Sequence, residues 1–193
     1  MAMIDDFRAN LLGGGARPNQ FRVTINTPSG IPAVKTGSWG SGEKISFLCK
    51  ATTMPSTTLG EITLDFRGRQ IFIAGDRASP DPWTTTFWND TDFMVKNAIE
   101  IWSNGINDFA TNKGVNAWFM YTADMQVQQL DRDDTVLKEY KFINAWPTTT
   151  GAAIPLDMTT RDTVEEFEVT WRYQHFTASG VGGVPATGAN YGL

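Results

Sequence analysis

Apolar and polar positions alternate along several short stretches of this chain. Phe21, Val23 and Ile25 alternate with Arg22, Thr24 and Asn26. Ile62, Leu64 and Phe66 alternate with Glu61, Thr63, Asp65 and Arg67. Phe167, Val169, Trp171 and Tyr173 alternate with Glu166, Glu168, Thr170, Arg172 and Gln174. A period of two marks a strand with one buried and one wet face. The pattern predicts strands at Phe21–Asn26, Ile45–Thr52, Gly60–Arg67, at a run beginning Ile71–Ile73, and at Trp83–Asn89. It predicts further strands at Trp118–Asp131, at Val136–Trp146 (stopped by Pro147) and at Glu165–Phe176. Gly68, between Arg67 and Arg69, suits a tight turn, so residues 60–73 read as a hairpin. The apolar sides of the hairpin and of the last strand are expected to pack in the core.

One stretch follows the helical period instead. Phe93, Met94, Asn97, Ala98, Ile101 and Trp102 form an apolar stripe, with Asp90 or Thr91 as its cap and Gly105 as its end. Ile4, Phe7, Leu11 and Leu12 repeat this spacing ahead of Gly13, Gly14 and Gly15, which cannot continue a helix cheaply. Residues 1–15 therefore read as an arm on a glycine hinge, followed by a body over 16–176 and a small, Gly-rich, flexible tail over 177–193. The expected fold is mainly β: seven or eight strands in packed antiparallel sheets, a β-sandwich or barrel, with one flanking α-helix. Thr27–Gly42 is a long loop with Trp39 near its tip, and loops of that length are usually functional or mobile. Thr53–Gly60, with Met54, is irregular.

Composition narrows the chemistry. A chain of 193 residues can bury one good core. Its 12% aromatic content is high and its 19% charged content somewhat low, a balance that suits a surface partly buried in an assembly. A net charge of −5 argues against broad phosphate binding, though not against a surface that nucleic acid slides past. The single Cys49 leaves no internal disulfide and no Cys-based metal cluster, and the single His175 removes multi-His metal sites. No phosphate-cradling glycine motif is present, since Gly13–Gly15 lacks a following Lys-Ser or Lys-Thr. Asp131, Asp133 and Asp134 lack the glycine and terminal glutamate of a calcium loop and read as a hairpin turn. No enzyme constellation and no cofactor site emerges. A self-assembling structural protein and a binding module that uses exposed Trp and Tyr on a β-sandwich, for instance for carbohydrate, both remain open at this point.

The strings ARPNQFRV (16–23), FLCKATTMPS (47–56), RGRQIFIAGDR (67–77), WTTTFWND (83–90), FINAWPT (142–148) and FEVTWRY (167–173) resemble tail tube proteins of contractile-tailed, myovirus-type bacteriophages. The resemblance covers roughly residues 1–176. The loop 27–42 looks longer than the family's, and the segment after Phe176 looks like an addition. The resemblance implies a structural virion protein and no enzyme. It implies homohexameric rings that contribute strands to a shared inner barrel and stack into a hollow tail tube, the conduit for DNA ejection. Sheath, baseplate and tube-terminating proteins are the implied partners, DNA passes without specific binding, and this chain does not insert in a membrane. The alternative is the tube of a phage-tail-like injection or type VI secretion device that passes protein effectors.

Four strands from each of six subunits, about 4.8 Å apart and tilted near 40°, enclose a diameter of roughly 40–50 Å, wide enough for duplex DNA. The expected channel-facing residues are Glu61, Thr63, Asp65 and Arg67 on the hairpin, with Glu166, Glu168 and Arg172 on the last strand as the second candidates. The expected contacts between subunits are Ile4, Phe7, Leu11, Leu12, Trp39 and Met54.

Overall fold

Large apolar side chains at alternate positions of seven strands meet in one core in the computed structural model, which describes residues 4–11, 15–34, 42–151, 154 and 156–180. The strands are β1 (Phe21–Ile25), β2 (Cys49–Thr52), β3 (Leu59–Phe66), β4 (Arg69–Arg77), β5 (Trp83–Trp88), β6 (Ala123–Leu130), β7 (Val136–Thr149), β8 (Glu166–Arg172) and β9 (His175–Ser179). The helices are α1 (Ile4–Asn10), α2 (Gly42–Leu48), α3 (Met94–Ile106) and the single turn α4 (Trp118–Tyr121). The protein is mainly β and antiparallel, as its pattern predicts. Nine strands and four helices among the described residues replace the expected seven or eight and one.

β7 organises the body by belonging to two sheets. Its Val136–Ala145 portion pairs with β6, which pairs with β1, and its Glu139–Ile143 portion pairs with β9 on the other side. Its Trp146–Thr149 portion pairs with β8, followed by β5 and β2. The chain changes sheet at Asn144, whose φ of 54° is left-handed and whose N–H donates to the Asp124 carboxylate at 3.2 Å. A register shift between Ala123 and Met125 lies opposite, so a bulge makes the corner. The strand also runs through Pro147 instead of stopping there. Proline lacks only an N–H, and this end of β7 is an edge of the second sheet, where no partner asks for one.

The inner faces of the two sheets fuse. Trp83 of β5 stacks on Phe142 of β7 with centroids 4.4 Å apart, and Phe142 meets Tyr173 edge-on at 4.8 Å. Trp171 and Trp102 are 5.6 Å apart, which fastens α3 to the second sheet. The Trp102 indole N–H donates to the Tyr121 carbonyl at 2.7 Å, so its polar end is satisfied inside the core.

Several sequence expectations are corrected here. Ile45–Leu48 is helical, with β2 beginning only at Cys49: the buried residues Ile45 and Cys49, with half-buried Leu48 between them, follow helical spacing. Trp118–Tyr121 is likewise a helical turn ahead of β6. The expected strand Glu165–Phe176 divides at Tyr173 and Gln174, where the chain passes from the second sheet to the first. The body reaches Ser179, three residues into the expected tail. α3 is stapled by Asp92, whose carboxylate accepts the Met94 N–H at 3.0 Å, and it buries Val95, Ala98, Ile99 and Trp102 while Phe93 is partly exposed. Gly105 lies inside the helix, where a Cβ would come within 2.8 Å of the Ile31 side chain. The loop after β1 is anchored up to Val34: Ile31 and Val34 are buried, and the Gly30 N–H donates to the Met120 carbonyl at 2.8 Å.

Candidate functional site

Two surfaces carry the candidate residues, and they are built differently. The first is the outer face of the second sheet. β8 sends Phe167, Val169 and Trp171 inward, all buried, which forces Glu166, Glu168, Thr170 and Arg172 outward. β5 does the same with Trp83, Thr85 and Phe87 inward and Thr84, Thr86 and Trp88 outward. The register sets Trp88 beside Glu166, Thr86 beside Glu168 and Thr84 beside Thr170. The result is a wall of hydroxyls and spaced charges. Lys50, at the bulge in β2, reaches over β5 to pair with Glu166. The pair is more than a third exposed, so its worth lies in neutralising the wall more than in stability. With Lys50 included, the face carries two acids and two bases and is balanced, where the β8 residues alone are acidic by one. Nothing in the local pattern marks Lys50, because its partner Glu166 lies 116 positions further along the chain.

The second surface is the hairpin β3–β4, a separate two-stranded sheet. Arg67 (φ 49°) and Gly68 (φ 82°) make the tight turn with two left-handed residues, the geometry that matches the twist of paired strands. Cross-strand partners share a face, and the register joins Ile62 to Ile73 and Leu64 to Ile71. With Phe66 these make an apolar face. Glu61, Thr63 and Asp65 share the other face with Ala74, Phe72 and Gln70. Contrary to expectation, the apolar face does not enter the subunit's own core: Ile62, Leu64, Phe66, Ile71 and Ile73 are all 47–59% exposed. The period of two holds along the hairpin, but its apolar face has no covering surface within the described residues of the subunit. A lone two-stranded hairpin is marginal in water, so this one needs a surface outside its own body.

The expected contact residues fall into two groups. Ile4, Phe7 and Leu11 are 79%, 66% and 44% exposed, and α1 buries no residue at all. Met54 is 44% exposed. Leu12, Trp39, the first two hinge glycines and the tail from 181 onward lie outside the described residues. Gly15 adopts φ 84°, a conformation that suits glycine.

No catalytic geometry accompanies these surfaces. Among the described residues, no group of three or more His, Cys, Asp and Glu could hold a metal, and every buried side-chain nitrogen or oxygen has a hydrogen-bond partner. Burial pushes the Cys49 thiol up to about 12, which removes the thiolate a nucleophile needs. His175 is exposed on β9, opposite Ile143. An open hollow of about 690 Å³ is lined by Leu156 and Met158 together with Glu165 and Glu166. No helix among the described residues is long and apolar enough to cross a membrane.

The phage tail tube protein family model matches residues 16–179. The tail tube protein of Serratia phage KSP90 is 30% identical over 175 residues, 90% of this chain and 95% of that one. The tail tube protein of Enterobacteria phage T4 is 32% identical over 173 residues, 86% of this chain and 94% of that one. In three dimensions, the fold is similar to a chain of the sheath–tube complex of an extracellular contractile injection system, with a TM-score of 0.59, 14% identity and coverage of 94% of this chain and all of that one. A family model matched over residues 16–179 and relatives 30–32% identical over nearly their whole length show that this chain belongs to the phage tail tube family, structural components of the virion.

Proposed function

We propose that six copies of the chain close into a ring and that rings stack into the inner tube of a contractile phage tail, through which DNA leaves the virion. The observation that carries this reading is the kinship over nearly the full length to phage tail tube proteins at 30–32% identity. The likeness to a chain of an injection-device sheath–tube complex, at 14% identity, speaks to the fold. The phage tail therefore stands as the reading, ahead of an effector-passing device. Sheath, baseplate and tube-terminating proteins are the proposed partners.

The proposed channel wall is the outer face of the second sheet together with the polar face of the hairpin. The hairpin is inserted between β2 and β5, adjacent strands of that sheet, so Glu61, Thr63, Asp65 and Arg67 belong to an extension of the wall that carries Glu166, Glu168 and Arg172. Duplex DNA is attracted by clustered Lys and Arg, and a basic conduit would trap it. A wall of threonines with paired or balanced charges offers no such trap. α1, with Ile4, Phe7 and Leu11 exposed, is proposed as an arm onto a neighbouring copy, together with Leu12, Trp39 and Met54.

Negative-stain microscopy of the purified chain at high concentration tests the proposal. Rings or tubes are expected. A chain that remains monomeric by light scattering at every concentration, with neither form visible, overturns it.

A further inference from the structure

The chain holds a single Asn–Gly pair, Asn104–Gly105, and it lies in the last turn of α3. Packing imposes the glycine. A Cβ at position 105 would stand 2.8 Å from both Cδ1 and Cγ2 of Ile31, a side chain buried in the core. Asn104 is exposed, and its side chain fastens the segment that follows the helix. Its amide Nδ2 donates to the Asp108 carboxylate at 3.2 Å, and its Oδ1 accepts the Phe109 N–H at 3.3 Å. The segment then folds back on the helix end. The Asn112 N–H donates to the Asp108 carbonyl at 2.8 Å, and the Val115 N–H donates to the Gly105 carbonyl at 3.1 Å. Gly114 crosses so close that a Cβ there would overlap the Ile106 carbonyl. The loop is clasped at its base, although its Phe109 side chain is 96% exposed.

Asparagine followed by glycine is the pair most prone to spontaneous deamidation, because no side chain hinders attack by the next backbone nitrogen. The Gly105 nitrogen would give its proton to a base and bond to Cγ of Asn104. The Cγ–Nδ2 bond would break and ammonia would leave. Water then opens the cyclic imide at either carbonyl and yields aspartate or isoaspartate. Water is the only co-reactant, and nothing is oxidised or reduced. The folded helix shuts this route twice. The Gly105 N–H is directed at the carbonyl four residues earlier, and a helical ψ at Asn104 holds that nitrogen away from Cγ. The bonds to Asp108 and Phe109 also hold the Asn104 amide over the following loop.

We infer that Asn104–Gly105 is a modification site that stays closed in the folded subunit, deamidates when the end of α3 unwinds, and cannot refasten the loop once modified. Trp102, two positions before Asn104, is fully buried with its ring 5.6 Å from that of Trp171. The opening therefore begins beside the side chain that anchors α3 on the second sheet. A carboxylate at position 104 loses the donor toward Asp108 and sets a second negative charge against it. Asp108 stays ionised, since bonds from the Thr111 N–H and hydroxyl hold its carboxyl below the ordinary range. Isoaspartate also routes the main chain through the former side chain, which puts the helical hydrogen bonds out of step. The reaction leaves a permanent mark on a subunit that has loosened. It is independent of the tube reading.

The test uses the full chain, incubated at mildly alkaline pH with and without denaturing urea. The tryptic peptide from Asn97 to Lys113 is then mapped by tandem mass spectrometry. In urea, Asn104 is expected to deamidate before Asn97, Asn107 and Asn112 of the same peptide. In native buffer its rate is expected to fall roughly tenfold or more, because the open helix end is a minor state. Equal rates in the two conditions overturn the inference, as does another asparagine of the peptide reacting first in urea. Asn104→Asp tests the lost clasp. Chymotrypsin is expected to cut after Phe109 several times faster than in the wild type, while the near-ultraviolet circular dichroism stays unchanged. Cleavage at the wild-type rate overturns the claim that the product cannot refasten. Wild-type chain aged in urea and refolded gives the same readout without a substitution: the deamidated fraction should be cut first, and equal cutting of both fractions counts against the inference.

Discussion

The indole N–H of Trp171 donates to the hydroxyl of Thr85 at 2.8 Å, and both side chains are fully buried. This bond sits inside the second sheet, between β5 and β8, and satisfies the only polar atom the large Trp171 ring brings into the core. Thr85→Val keeps the shape and removes the acceptor. An unpaired buried donor costs about 1–3 kcal/mol. The urea midpoint should fall accordingly with an unchanged slope, and a midpoint equal to wild type would contradict the assignment.

Cys49 provides a chemical readout of the folded state. Its thiol is raised from the ordinary 9.0 to about 12, chiefly because burial penalises the thiolate. The sign follows directly. Below about pH 9 both folded and unfolded thiols are protonated, so this group leaves stability flat. Above it the unfolded chain loses the proton first, and stability declines as pH rises toward 12. A thiol-reactive dye should label Cys49 at pH 8 only after denaturant is added. Rapid labelling of the native chain would show that β2 opens.

Removing residues 1–12 should leave the subunit folded, because α1 contributes nothing to the core. Thermal melting should stay within a few degrees of wild type. Polymerisation should be weakened, since the deletion takes away Ile4, Phe7 and Leu11. A truncated chain that polymerises normally rejects the arm.

Changing Glu61 and Asp65 together to Lys replaces two acids on the polar face of the hairpin with two bases. That is a swing of four charges per subunit, repeated by every copy of the proposed ring and along the proposed tube. Assembly is expected to survive while DNA ejection slows or stops, because close-range attraction to phosphates replaces repulsion. A phage carrying both changes that ejects at the normal rate refutes the electrostatic account. Failure to assemble instead places these residues in a subunit contact.

The sequence pattern revealed most about strands whose two faces meet different surroundings. Phe167, Val169 and Trp171 alternate with Glu166, Glu168 and Thr170 because one set touches the core and the other solvent, so β8 was legible residue by residue. The hairpin alternates just as clearly, yet Ile62 and Leu64 lie outside the subunit core. A period of two says that a face is to be covered, not by which molecule. α2 was hidden because Ile45, Leu48 and Cys49 follow helical spacing over too short a stretch to stand out against the adjoining strand. Asn144 was invisible for another reason: a left-handed residue inside a long strand depends on Asp124, twenty positions earlier.

The corner at Asn144 has a mechanical side. β7 passes through it from one sheet to the other, and the chain makes a second such passage between β8 and β9 through Tyr173 and Gln174. Two continuous backbones therefore stitch the layers together. Sliding one sheet over its partner stretches covalent chain at both seams, so the body yields to shear far less readily than two layers held by side-chain contact alone. A pull applied to the wall at Trp146–Thr149 is passed along β7 to the opposite layer, and the subunit answers as one elastic unit.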